Sequence, residues 1–176
     1  MMLARCISRY SAGIALCTSL FVGNLHAQTS PHAIEFGLDT GIGESKQLDQ
    51  KDDVHSRFSL AYRYQFSQHW SAQLTGTESI LKLPGVAHQQ YSVRFGTEYK
   101  AQLTNTLFWI ANAGLGKDLL SQEAKDLGFD HGLGAYLGTG LRFEFDSGFN
   151  LSATLAYEDF EIYRASVFGV NLGYRF

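Results

Sequence analysis

Phe168-Gly169-Val170-Asn171-Leu172-Gly173-Tyr174-Arg175-Phe176, the last nine residues of the chain, alternate large apolar residues with glycine or polar ones. Successive side chains of an extended strand point to opposite faces, so this period of two puts Phe168, Val170, Leu172, Tyr174 and Phe176 on one face. Such a strand suits a wall with an apolar medium on one side and a polar one on the other. Working back toward the amino terminus, the same period recurs seven more times.

The first of these segments sets Ile34, Phe36, Leu38, Thr40 and Ile42 against Glu35, Gly37, Asp39 and Gly41. The second sets Phe58, Leu60, Tyr62, Tyr64 and Phe66 against Arg57, Ser59, Ala61, Arg63 and Gln65. Trp70, Ala72 and Leu74 form the apolar row of the third, and Tyr91, Val93, Phe95 and Tyr99 that of the fourth, opposite Arg94 and Glu98. The sixth runs from Gly134 to Phe145 with Arg142 and Glu144 on its polar side. In the seventh, Phe149, Leu151, Ala153, Leu155 and Tyr157 oppose Asn150, Ser152, Thr154 and Glu158. Only the fifth breaks the pattern: Leu107, Trp109, Ala111, Ala113 and Leu115 share a face, but Phe108 and Ile110 fall on the polar one. Eight alternating segments predict an all-β chain, an eight-stranded antiparallel up-and-down barrel.

The connections alternate in length. Ser67-Gln68-His69, Ala101 to Thr106 and Asp146-Ser147-Gly148 are the tight ones. Gly43–Asp53, Lys82–His88, Lys117–His131 and Asp159–Ala165 are read as loops on the opposite side. Large outward aromatics gather at the tight-turn ends: Phe66, Trp70, Tyr99, Trp109, Phe143, Phe145, Phe149, Tyr174 and Phe176. Amphipathic rings favour the headgroup layer of a bilayer, so this is where an interfacial girdle belongs. The outward Glu78 is placed at the other interface, where charge is cheap.

Residues 1–27 read as a secretory signal peptide. Arg5 and Arg9 precede the uncharged stretch Ser11 to Val22, and Leu25-His26-Ala27 ends in a small residue. The apolar stretch is shorter than the ~20 residues of a transmembrane helix. Lipid attachment at Cys17 would want a small residue before it, and Leu16 stands there. Both cysteines, Cys6 and Cys17, fall inside this segment, so residues 28–176 have no disulfide, Cys-based zinc site or thiol nucleophile. The segment also holds two of the 14 basic residues, leaving 12 against 17 acidic ones, a formal charge of −5. So acidic a surface argues against nucleic acid as a partner.

An export signal, eight strands, asymmetric connections and a C-terminal strand ending in Phe176 together resemble the small eight-stranded outer-membrane barrels, the group of the OmpA barrel, OmpX, Ail and NspA. The resemblance covers residues 28–176 and is one of architecture. It implies residence in the outer membrane of a Gram-negative cell, surrounded by outer-membrane lipid and lipopolysaccharide. It also implies that Phe168, Val170, Leu172, Tyr174 and Phe176 are the signal read by the barrel-assembly machinery.

The expected inner face carries Arg57, Arg63, Arg94, Arg142 and Arg175 with Glu35, Asp39, Glu98, Glu144 and Glu158. Eight strands leave an interior just wide enough for side chains, so these charges are expected to pair into a plug. A structural or surface-interaction role follows, with a host or envelope protein contacting the external loops. Leu119, Leu120, Leu127 and Phe129 in the third loop, and Phe160, Ile162 and Tyr163 in the fourth, are the apolar candidates for that contact; mutual packing is the other account of them. No cofactor or metal site is expected, since Asp52-Asp53 and Asp159 with Glu161 read as solvated loop acids.

Three alternatives stay open. A narrow pore through the interior is one. A lipid A deacylase or acyl transferase is another; its candidate residues are His55 with Ser56, and Asp130 with His131, near the external rim, where a hydroxyl nucleophile would need a base and a group to orient it. The third is a soluble lipocalin-like barrel with the apolar face turned inward. His69 and His88 are read as surface histidines of a turn and a loop.

Overall fold

The computed structural model describes residues 30–46, 53–83, 86–119, 132–161 and 163–176; the expected signal segment, 1–27, lies outside them. Eight strands follow in chain order: β1 His32–Ser45, β2 Asp53–Gln65, β3 Trp70–Leu83, β4 Val86–Gln102, β5 Leu107–Leu119, β6 Leu133–Glu144, β7 Phe149–Phe160 and β8 Tyr163–Arg175. Each pairs antiparallel with its sequence neighbour, and β8 closes on β1, so the sheet is a barrel without an edge.

The faces are turned as a membrane barrel requires. Leu115 is 69% exposed on the outer wall while Arg142, inside, is 1% exposed. A lipocalin-like barrel would have these reversed, so that alternative is corrected. The period of two decides it: every outward position of β4 from Tyr91 to Tyr99 meets the medium, and every intervening residue is buried.

Strand lengths differ from the segments read in the sequence. A membrane needs ~9–11 residues per strand, yet β4 has 17 and β3 has 14. The ladder continues through Leu81↔His88 and Leu83↔Val86, so the expected loop Lys82–His88 is mostly strand. The expected loop Asp159–Ala165 likewise shrinks to a short connection between Phe160 and Tyr163. Alternation marks a strand only while its two faces meet different media. Backbone pairing has no such condition and runs on above the apolar band.

The opposite end is built from tight turns. Ser67 Oγ accepts from the Trp70 N–H at 3.0 Å, and the Gly148 N–H donates to the Phe145 carbonyl at 3.0 Å. Gly148 takes φ 88°, a conformation that other residues adopt only under strain. Both termini of the described barrel leave at this end, which an even strand number demands. Trp70 meets Tyr99 edge-on at 5.1 Å, and Tyr99 meets Trp109 at 6.2 Å, forming part of the expected girdle. At the closing seam Phe176 stacks on His32, with ring centroids 6.2 Å apart, and its N–H donates to the His32 carbonyl.

Candidate functional site

The inward rows of the eight strands bring charged side chains together in three tiers along the axis. In the middle tier Arg142 donates to Glu98 at 2.5 and 2.8 Å and lies 3.3 Å from Glu35. Arg63 reaches Glu35 at 2.9 Å and Glu98 at 3.1 Å. These four residues stand on β1, β2, β4 and β6, so their pairs cross the lumen. Two cations and two carboxylates, all buried, make a neutral quartet.

Nearer the external end, Arg57 meets its cross-strand partner Asp39 at 2.7 Å and reaches Glu158 of β7 at 2.7 Å. Arg94 of β4 grips Glu158 with both terminal nitrogens, at 2.5 and 3.0 Å. The Tyr163 hydroxyl donates to Glu158 at 3.0 Å and accepts from Arg94 at 3.1 Å. Above this second quartet the Phe160 and Tyr163 rings stack at 5.4 Å, and the Arg94 guanidinium lies 4.9 Å from the Phe160 centroid. Phe160 presses on Gly134 and Gly116; a Cβ at Gly134 would come within 2.6 Å of the Phe160 Cα. The two rings therefore fill the lumen above Arg94 on its β5–β8 side. Between the quartets lies a polar pocket of about 80 Å³, lined by Gln73, Thr75, Asn112 and Tyr136 among others, a size that admits water.

The third tier faces the tight-turn end. Lys100 bonds Glu144 at 3.0 and 3.2 Å, and Arg175 bonds it at 2.8 Å. A vestibule of about 230 Å³ opens beside Glu144 and Arg175. Lys100 also lies 4.6 Å from the Phe108 ring. That contact accounts for the irregular fifth segment: Phe108 packs under a cation and Ile110 is fully buried on the inner face.

All ten charges named from the sequence thus enter ion pairs, and the structure adds Lys100 and Tyr163. Lys100 stands two residues past Glu98 in the same inward row, one step beyond the end assigned to the fourth segment. Tyr163 was hidden by reading its stretch as a loop. Phe160 and Tyr163, for which surface contact and mutual packing were the two accounts, are buried inside and stack on each other, so the contact account is the one corrected. The physical reason is that the inner face turns apolar at the external end, where Phe160, Tyr163, Ala165 and Val167 cluster. Of the third-loop candidates, Leu119 is the exposed last residue of β5, and Leu120, Leu127 and Phe129 lie outside the described residues, as does Ile162.

Of the candidate catalytic residues, the structure describes His55 and Ser56 alone. His55 and Ser56 are consecutive on β2, at register positions opposite Gly41 and Thr40, and Ser56 is exposed on the outer wall. Asp130 and His131 lie outside the described residues. Among the described residues no group of three His, Cys, Asp or Glu side chains is placed to hold a metal ion. Glu78 lies on the outer wall, where the Tyr91 hydroxyl donates to it at 3.4 Å.

Comparison with known proteins bears on the fold as a whole. The structure of the Neisserial surface protein NspA superposes with a TM-score of 0.65 at 13% identity, covering 84% of this chain and 98% of that one. Ail, the attachment invasion locus protein of Yersinia pestis, solved in complex with the heparin analogue sucrose octasulfate, gives 0.54 at 20% identity, covering 82% and 97%. The N-terminal β-barrel domain of Pseudomonas aeruginosa OprF gives 0.51 at 14% identity, covering 81% and 97%. No curated protein matches the sequence. Identities this low speak for the shared fold alone. The model of the outer membrane protein beta-barrel domain matches residues 13–176. The chain belongs to the outer membrane protein beta-barrel domain family, and its fold is the closed eight-stranded barrel of NspA and Ail.

Proposed function

We propose that the protein is a plugged, non-conducting surface barrel whose role is structural or interactive, exerted through what it displays outside the membrane. The observation that carries this reading is the filled lumen: two neutral quartets cross it and the Phe160–Tyr163 pair packs on the upper one. Charges tied to one another across a narrow interior are poor carriers of a permeant ion, because each must lose its partner to open a path. The strands meanwhile run well past the membrane, giving the external hairpins a rigid base. A host or envelope protein meeting these hairpins is the expected partner. That Ail, with the same fold, was solved with a sulfated heparin analogue supports the idea that such a rim can hold a partner.

Export through residues 1–27 and delivery to the assembly machinery by Phe168, Val170, Leu172, Tyr174 and Phe176 belong to the same reading. So does lipopolysaccharide as the surrounding lipid. The test is twofold. Refolded protein in planar bilayers should stay silent at high protein and salt, while it shifts mobility on a gel between unheated and boiled samples. Steady conductance from protein that shows the shift would make it a pore and overturn the proposal.

A further inference from the structure

Seven of the eight strand pairings join neighbours in the chain, and the connection between two such strands helps to fix their register. β1 and β8 meet without a connection. Their side chains have to choose how far one strand slides along the other. The outward row cannot choose. It pairs Ile34 with Tyr174, Phe36 with Leu172 and Leu38 with Val170. A slip by two residues keeps every side chain on its own face, so apolar groups would still stand beside apolar groups in lipid.

The inward row is different. Glu35 faces Gly173, Asn171 faces Gly37 and Asp39 faces Gly169; beyond them Val167 and Ala165 face Gly41 and Gly43. Five consecutive pairs thus each hold one glycine and one side chain, a run that no other inward row of the described strands repeats. The partner of each glycine leans over it. A Cβ on Gly173 would lie 2.7 Å from the Glu35 Cγ, and one on Gly41 would lie 3.0 Å from the Val167 Cγ2. A Cβ on Gly169 would overlap the Asp39 carboxylate, and one on Gly37 the Asn171 amide. These side chains are tied where they lie. Arg57 holds Asp39 at 2.7 Å, Arg63 holds Glu35 at 2.9 Å, and Asn171 donates to Ser152 at 3.3 Å.

From Glu35 to Gly41 the glycine changes strand at every pair, so a slip by two residues inverts the match. In one direction Gly37 would meet Gly169 and Asp39 would meet Val167. In the other, Gly37 would meet Gly173 and Asp39 would meet Asn171. Either slip leaves a hole at a glycine pair beside two crowded side chains. We infer that the inward row of the β1–β8 seam is a register lock, in which side chains laid on glycines of the opposite strand admit one closure of the barrel. Register around the ring sets the shear of a barrel and its width. The lock therefore also fixes the width of the lumen that the two charge quartets fill.

Residues 28–176 contain no cysteine, so the register can be read by disulfide capture in the refolded chain. Leu38→Cys is combined with Val170→Cys for the observed register, with Leu172→Cys for one slip and with Phe168→Cys for the other. Facing residues are close enough at Cα to bridge, whereas a two-residue offset exceeds the limit of about 7 Å. Capture at 38–170 should exceed both slipped pairs by about tenfold. Asn171→Gly adds no bulk and supplies the glycine that Asp39 lacks in one slip, so its 38–172 capture should rise about tenfold. Gly169→Val should lose 38–170 capture, and adding Asp39→Gly should restore it, because the pair again holds one glycine. If Asp39 served only as the partner of Arg57, the added change would deepen the loss. Slipped capture equal to native in the unaltered seam, Asn171→Gly without the 38–172 bridge, or a deepened loss with Asp39→Gly would each overturn the lock. Every protein is also run on the heated gel. Should Gly169→Val lose the mobility shift, Asn171→Gly decides alone. Loss of the shift by Asn171→Gly would overturn the lock as well, since a lock predicts a slipped barrel and not an open one.

Discussion

The middle and lowest tiers of the interior use the same residue types and differ in what surrounds them. Glu35, Arg63, Glu98 and Arg142 form a balanced quartet buried from bulk solvent, with only the small polar pocket beside it. Lys100, Glu144 and Arg175 form an unbalanced trio beside a vestibule. In the first, a charge that loses its partner finds at most the water of that pocket. In the second, water can replace the partner. The lesson is that an ion pair's weight in this barrel is set by its height along the axis and not by its geometry, since both tiers have bonds under 3.2 Å.

Substitutions can break or sharpen that contrast. Glu98→Ala should have the largest effect, about 3–5 kcal/mol of destabilisation, because it leaves two buried cations, Arg63 and Arg142, to share Glu35 alone; urea unfolding from lipid vesicles would measure it. A change below about 1 kcal/mol would mean that water reaches this tier after all. Gly134→Val tests the Phe160–Tyr163 pair. Its side chain must displace Phe160, at an expected cost of about 1–3 kcal/mol, and it should also raise bilayer conductance if the ring pair is the external seal.

Glu144→Gln in the vestibule tier should cost less than Glu98→Ala in the same assay, about 1–3 kcal/mol, because Lys100 and Glu144 are largely buried but adjoin the vestibule. A loss matching that of Glu98→Ala would erase the distinction between the tiers. Smallest of all is Asp159→Asn at the outer rim. Its carboxylate is 42% exposed, so stability should move by well under about 1 kcal/mol.

Much of this was legible residue by residue. The inward rows carrying Arg57, Arg94, Glu98 and Arg142 could be written down from the alternation, since side-chain facing is a local property of an extended chain. Phe108 and Ile110 looked like errors in that pattern because their reason is not local: Lys100 packs on Phe108 from the neighbouring strand. Lys100 itself was one inward position beyond where the pattern was followed. Phe160 and Tyr163 were misplaced for the opposite reason. Near the external end the inner face turns apolar, so the rule that apolar means outward fails there.

The sequence by itself determined the class of object. Strand number, the facing of most residues, the girdle of aromatics and the charge carried inside all follow from a period of two and from composition, which act at short range. Only the tertiary structure decided which charges meet, because Glu158 reaches Arg57 and Arg94 from across the lumen and pairing across a closed barrel depends on register around the whole ring. Closure likewise set Lys46, just past β1, beside Asp159 of β7. None of these neighbours is adjacent in the chain, and no local preference could have named them.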